Sequence, residues 1–199
     1  MVEITAKYKM GLRRFGLINW VGAWTLYKKE VLRFMIVWVQ TIFSPIISSL
    51  LFLLVLSLAI GNDRGEVLGV SFITFLAPGL IAMQVIQQSF SHSSSSFMIG
   101  KIQGNIVDVL YAPLSAAEVT LAVTLAAVSR SVMIAFISII FFYFIIGIEI
   151  QSFLLLILYI LLSSFSLGAL GVIAGLWAEK FDHMASVTNF IIVPLSFLS

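Results

Sequence analysis

Few residues in this chain are equipped for chemistry. There are two histidines, His92 and His183, and no cysteine. Neither histidine has a partner at a metal-ligand spacing, so no metal site is read. No HExxH occurs, and no Ser/His/Asp set can be assembled. Ser93 to Ser96 directly follow His92. They read as a capping-rich lead into a helix rather than as nucleophiles. No GxxxxGK[ST] loop is present, so the chain has no self-contained nucleotide site. No catalytic, cofactor-binding or metal-binding residue is assigned. What remains are polar residues inside apolar runs (Gln40, Thr41, Ser44, Ser48, Ser49), prolines inside those runs (Pro45 and Pro78, the latter before Gly79), and one buried-looking cation, Arg130. Kinked spans with polar residues facing other helices suit transport better than catalysis.

The elements that must position these residues are membrane helices. The chain has 199 residues, of which 61% are hydrophobic and 10% charged. Soluble domains carry about 25% charged residues, so this is a multi-span helical membrane protein. The apolar runs do not alternate as barrel strands do. Absence of cysteine excludes a disulfide framework. Residues 1–33 hold seven Lys/Arg (Lys7, Lys9, Arg13, Arg14, Lys28, Lys29, Arg33) against Glu3 and Glu30, and the remainder is net acidic. A basic arm ahead of the first span places the N-terminus in the cytoplasm. The arm leads straight into a membrane, so no nucleic-acid partner is expected, and no signal peptide is visible.

The chain divides as follows. Residues 1–33 form the arm and an amphipathic entry helix. Trp20, Trp24, Tyr27 and Val31 lie on its lipid face, with Lys29 and Arg33 opposite. Span one is 34–61 and span two 68–90, separated by an outer turn carrying Asp63 and Arg64. A polar segment, 91–115, returns to the cytoplasmic side. Span three is 116–147 and span four 152–177, joined by a short turn with Glu149. Ala178–Thr188 reads as a cytoplasmic loop. Asn189 opens a fifth apolar run, 189–199, too short to cross a bilayer that needs about 20 residues. It reads as a partial insertion or, preferably, as a chain that stops inside a fifth span. Gly171 and Gly175 in span four make a GxxxG packing motif. Arg130 lies 17 residues before Gly147, about 26 Å along the axis, near the inner edge of the core. Two readings stand for it: snorkelling to water, or facing an internal cavity.

The polar stretch Gln87–Glu118 is the longest break in the apolar pattern. Its middle, Met98–Leu110, has helical periodicity. Met98, Ile102, Ile106 and Val109 share one face; Lys101, Gly104 and Asp108 share the other. Pro113 stops this helix. Such a helix either rests on the headgroups or docks another protein.

Four stretches in order carry a family resemblance: LYKKEVLRF followed by QTIFSPIISSLLF (Leu26–Phe52), FLAPGLIAMQVIQQSF (Phe75–Phe90), the polar segment with Gly104, Asp108 and APLS, and NFIIVPLSFLS (Asn189–Ser199). Together they resemble the permease subunit of type-2 ATP-binding cassette exporters. The resemblance implies a six-span all-α fold, of which four spans and the start of a fifth are present here. It implies a homodimer or paralogous heterodimer of permeases working with two soluble ATPase subunits, which bind ATP and magnesium. The helix between spans two and three is the family's coupling helix, so Met98, Lys101, Ile102, Gly104, Ile106, Asp108 and Val109 would contact the ATPase. Gln40, Thr41, Ser44, Pro45, Pro78, Gly79 and Arg130 would line or gate the path in a prokaryotic inner membrane. The substrate stays open among a drug, a lipid, a lipid-linked polysaccharide and a haem-related group. A channel or secondary transporter would need paired intramembrane charges, and Arg130 stands alone. A membrane anchor or assembly subunit is the remaining alternative.

Overall fold

The computed structural model describes residues 18–60, 66–67, 69–148, 150 and 152–198. The arm residues Lys7, Lys9, Arg13 and Arg14, the turn residues Asp63 and Arg64, and Glu149 and Gln151 lie outside the described residues. Helices α1 (Trp20–Ile36), α2 (Trp38–Ile60), α3 (Phe72–Ile102), α4 (Ile106–Tyr111), α5 (Ala116–Ile146), α6 (Phe153–Trp177), α7 (Phe181–Val187) and α8 (Val193–Ser196) follow in order, with a π-helical turn at Thr188–Ile192 before α8. Two short strands, β1 (Glu66–Val67) and β2 (Val70–Ser71), pair antiparallel between α2 and α3. Among the described residues, four helices, α2, α3, α5 and α6, are long and apolar enough to cross a membrane. The all-α polytopic architecture expected from composition is the one observed.

The helix ends follow local chemistry. Asn19 caps α1 by accepting from Gly22 N at 3.0 Å. Ser115 and Glu118 form a reciprocal capping box that starts α5. Gly147 ends α5 at φ 72, a left-handed conformation that costs glycine little. Pro45 and Pro78 both sit inside helices that continue through them.

The largest departure from the sequence reading is α3. Span two was expected to stop at residue 90, with Ser93–Ser96 in a loop that caps a helix over Met98–Leu110. Instead α3 runs unbroken to Ile102, and the expected helix is split. Gln103–Asn105 make a corner with Gly104 at φ 77, and only Ile106–Tyr111 follow as α4. Two of the serines satisfy themselves within the helix. Ser94 donates to Phe90 O at 2.8 Å and Ser95 to His92 O at 3.0 Å. A back-bonded hydroxyl needs no water, so the segment tolerates an apolar setting. Both histidines are also helical rather than in loops: His92 lies in α3 and His183 in α7. The loop expected over Ala178–Thr188 is helical from Phe181 and runs into the π-helical turn. The entry helix extends to Ile36, so the first span begins at Trp38, not residue 34.

Helix α3 is the centre of the bundle and makes its most extensive contact with α6, then with α5. The α3–α6 seam is built from small residues. A Cβ on Gly171 would lie 2.6 Å from Phe90 O, and one on Gly175 would lie 2.7 Å from Ser94 O. Both are closer than real Cβ atoms come, so only glycine permits this backbone approach. Ser89 adds a hydrogen bond from its hydroxyl to Ser164 O.

Helix α1 is held by polar groups as well as apolar ones. Its inward line is Leu26, Glu30 and Phe34, all buried. Glu30 lies 3.0 Å from Arg33 Nη2 and 3.7 Å from His92 Nε2. Arg33 also donates to His92 O at 3.1 Å, and His92 is fully buried with its ring edge against Phe34. Arg33 therefore turns toward α3 instead of the headgroups. Tyr27 shares a 2.8 Å hydrogen bond with Ser129 of α5. Trp20 and Trp24 remain exposed on the opposite face.

Two outcomes are expected from thermal unfolding of the purified protein in detergent. Gly171→Ala forces α6 off α3 and costs about 1–3 kcal/mol, as overpacking does. Glu30→Ala strands Arg33 beside His92 and costs about 3–5 kcal/mol, the usual loss when one partner of a buried pair is removed. Adding Arg33→Met to Glu30→Ala should recover part of that loss, because the uncompensated cation is then gone.

Candidate functional site

A polar cleft of about 260 Å³ opens between α2, α3 and the C-terminal helical segment. From α2 come Ser44, Pro45, Ser48 and Ser49; from α3 come Gln84, Gln87 and Gln88. Both sets follow helix geometry. Residues three and four apart share a face, so three glutamines at i, i+3 and i+4 face one way, toward the serines. Phe52, Leu80, Met83 and Phe197 make the apolar part of the wall.

Each glutamine is oriented by a different neighbour. Gln84 is buried and fully engaged: its Nε2 donates to Pro45 O at 2.9 Å and to Ser49 Oγ, and its Oε1 accepts from Ser138 of α5 at 2.9 Å. It ties α2, α3 and α5 together. Gln87 Nε2 donates to Ser196 Oγ at 2.9 Å. Gln88 Oε1 accepts from Arg130 Nη2 at 2.7 Å. Half-buried Arg130 thus reaches from α5 to the back of the cleft wall. Among the described residues the lining pairs serines with glutamines, not with a base. The arrangement holds uncharged donors and acceptors within a membrane bundle, which suits binding and release rather than bond-making.

The predicted path residues divide. Ser44 and Pro45 line the cleft. Gln40 is exposed on α2 outside it. Thr41 is buried at the α1–α2 elbow, where its hydroxyl lies 3.4 Å from Phe34 O. Pro78 is exposed and Gly79 half-buried, both nearer the start of α3 than the glutamines are. Gln87 and Gln88 were missed because they were grouped with the polar stretch that follows, and Gln84 because it lies alone inside the apolar run of span two. Their spacing was the available signal.

The second region is the corner from Gln103 to Ser115. Glu118 joins two helix starts here: its Oε1 accepts from Asn19 N at 2.5 Å and its Oε2 from Ser115 N at 2.7 Å. Asn19 Nδ2 also donates to Pro113 O at 3.2 Å. Of the residues expected to face a partner, Ile102, Gly104 and Asp108 are exposed. Ile106 and Val109 turn inward, lining a small cavity with Leu26 and Phe97. Met98 is fully buried against α6 and the C-terminal segment. Lys101 donates from Nζ to Ala178 O at 2.9 Å and to Leu176 O. It neutralises the carbonyl end of α6, a favourable place for a cation. The outward apolar residues of the corner are instead Val107, Leu110 and Tyr111, the last two 75% and 87% exposed.

The ABC-2 type transporter family matches residues 22–199. The inner membrane transport permease YadH of Escherichia coli (strain K12) is 30% identical over 181 residues, which is 91% of this chain and 71% of that relative. The permease of the same name from Shigella flexneri matches to the same extent. No solved structure matches. With the family matched over most of its length, and with a permease relative covered by more than two thirds, this four-span helical chain belongs to the ABC-2 type transporter family as a multi-pass inner-membrane transport permease.

Proposed function

We propose that the chain is the permease subunit of an ATP-driven exporter. Two permease chains, identical or paralogous, would form the path. Two soluble ATPase subunits would bind ATP and magnesium and dock on the corner around α4. The N-terminus would lie in the cytoplasm, as the basic arm favours. The observation that carries the reading is the continuity of α3. One unbroken helix bears Gln84, Gln87 and Gln88 on the cleft and ends, at Ile102, in the exposed corner. Gln88 and Ile102 are about 21 Å apart along the axis.

That continuity supplies a mechanism. Closure of the ATPase pair on ATP would displace α4. Because Gly104 is a tight corner and Ile106 packs back against Phe97 and Val123, the displacement passes to the end of α3 rather than being absorbed in a loop. Helix α1 would move with α3, since Glu30, Arg33 and His92 join them. The α2–α3 boundary, where the cleft lies, then widens or closes, giving two states that ATP biases differentially. The partner-facing residues on this reading are Ile102, Gly104, Val107, Asp108, Leu110 and Tyr111. Met98, Lys101, Ile106 and Val109 support them from behind.

Co-purification with the candidate ATPase tests this. Replacing Gln103–Tyr111 with a Gly/Ser linker should abolish co-purification while membrane insertion is retained. Tyr111→Ala should weaken association by about 30-fold, the effect of losing an aromatic anchor worth about 2 kcal/mol. Retention of the ATPase by the linker variant would overturn the docking assignment. A complementary check uses the absence of cysteine: Tyr111→Cys should label with a membrane-impermeant maleimide only from the cytoplasmic side.

A further inference from the structure

We propose that the cleft between α2 and α3 binds the neutral, polyhydroxyl headgroup of an amphiphile, a sugar-like group attached to an apolar tail. This deepens the permease reading and rests on it. The argument begins with polar groups left free. Serines in α6 satisfy themselves: Ser163, Ser164 and Ser166 donate to carbonyls one turn back at 2.7, 2.6 and 2.8 Å. Ser44 and Ser48, on the cleft, bond to no other described residue. In a hydrocarbon setting an unpaired hydroxyl is costly, so the cleft is built to receive a polar group.

The two half-buried glutamines are poised in complementary senses. Gln87 uses its Nε2 on Ser196, which leaves Oε1 as an acceptor. Gln88 uses its Oε1 on Arg130, which leaves Nε2 as a donor. Adjacent on one helix, facing two hydroxyls that both donate and accept, they match a ligand whose groups do both. Hydroxyls do; a carboxylate or phosphate only accepts, and an ammonium only donates.

Charge gives the same answer. No Asp, Glu, Lys or Arg is among the lining residues. A cation would find no carboxylate there. An anion would find only Arg130, one layer back and already bonded to Gln88. Either would remain uncompensated in a low-dielectric site.

Size and depth define the rest of the ligand. At about 260 Å³ the cleft is smaller than the ~300–1,000 Å³ of drug-sized sites, so it suits a headgroup rather than a whole drug. Phe52 and Phe197, with ring centroids 6.3 Å apart, offer apolar faces to the C–H side of a sugar ring. Ser44 to Ser49 lie about 9–16 Å along α2 from Trp38, within the leaflet that α2 enters first. An amphiphile anchored in that leaflet can place its headgroup there without leaving the bilayer.

The test is direct binding to the full-length protein in phosphatidylcholine nanodiscs, read by native mass spectrometry. Three probes are titrated: glucosyl-diacylglycerol, phosphatidylglycerol and octadecylamine. Saturable binding is expected for the glucolipid alone. It should weaken at least tenfold in Gln87→Leu and in the Ser44→Ala/Ser48→Ala double variant. The serine variant removes no hydrogen bond to a described residue, and an unchanged thermal unfolding temperature would separate a loss of binding there from a loss of fold. Preference for the anionic or cationic probe overturns the proposal. So does glucolipid binding that neither variant changes, and so does the absence of saturable binding. ATPase co-purification from the same preparation reads the permease assignment separately. An ATPase that never associates, with glucolipid binding intact, refutes the exporter reading and leaves the binding site standing.

Discussion

The backbone-to-backbone approach of α3 and α6 is the constraint on which the rest of this bundle depends. Within a bilayer, lipid tails compete with side chains for apolar contact, so burial alone does not drive helices together. Close packing and polar contacts must do it instead. Gly168, Gly171 and Gly175 place α6 against Ser89, Phe90, Ser93 and Ser94 with no side chain between the backbones. That contact explains why α3 can continue as a helix past Phe90 through residues that look like a loop. The serines are small enough for the seam; the Ser94 hydroxyl is spent on α3 itself and that of Ser89 on α6. Lys101 then closes the far end of α6 by taking its terminal carbonyls. A long, continuous α3 is the product of this seam, and both the cleft and the corner hang from it.

Helix α1 is attached by the opposite kind of chemistry. Its exposed side carries Trp20, Val21 and Trp24, and its protected side carries Glu30. Such a helix is inside-out relative to a soluble one, as expected where the surroundings are lipid rather than water. A buried carboxylate is stable only if paired, and Arg33 supplies the pairing. The dependence on geometry is what makes the attachment specific. An apolar strip slides along a neighbour with little change in energy, whereas Arg33 has one place where it meets both Glu30 and His92 O. Glu118 does the same at the other end of α1, fixing Asn19 beside the start of α5. The entry helix is therefore set in register at two points about 16 Å apart along its axis, from Asn19 to Glu30.

Much of this fold was legible in the sequence, and the illegible parts share a cause. Spans three and four were read at 116–147 and 152–177, and the helices are Ala116–Ile146 and Phe153–Trp177. Length, apolarity and the capping signals at Ser115, Glu118 and Gly147 are local features, so they can be read locally. The end of α3 is not local. Ser93 and Ser94 are polar but buried against Gly171 and Gly175 of α6, partners about 80 positions away. The same holds for Arg33 and His92, 59 positions apart, whose hydrogen bond no spacing rule reveals. Lys101 read as a surface charge because its acceptors lie at the end of another helix. The glutamines differ. Gln84, Gln87 and Gln88 carry a face in their spacing alone, which was obscured because the last two were counted with the polar residues after them.

The two sides of α3 are packed very differently. Toward α6 and α5 it is sealed by glycine, serine and buried apolar side chains; toward α2 its contact is sparse, and a cleft takes the place of a core. Gln84 is the main polar tie across that boundary, bonding Pro45 O, Ser49 and Ser138 at once. Deforming the α3–α6 side would drive backbones into one another, whereas deforming the α2–α3 side changes a space that already exists. Pro45 adds to the asymmetry, since proline removes one backbone hydrogen bond from α2 at the level of the cleft. Motion imposed on α3 from its Gln103–Asn105 corner would therefore be resolved at α2. The free hydroxyls and amides lie on that same boundary, so the seam that gives way is also the one that carries the polar groups.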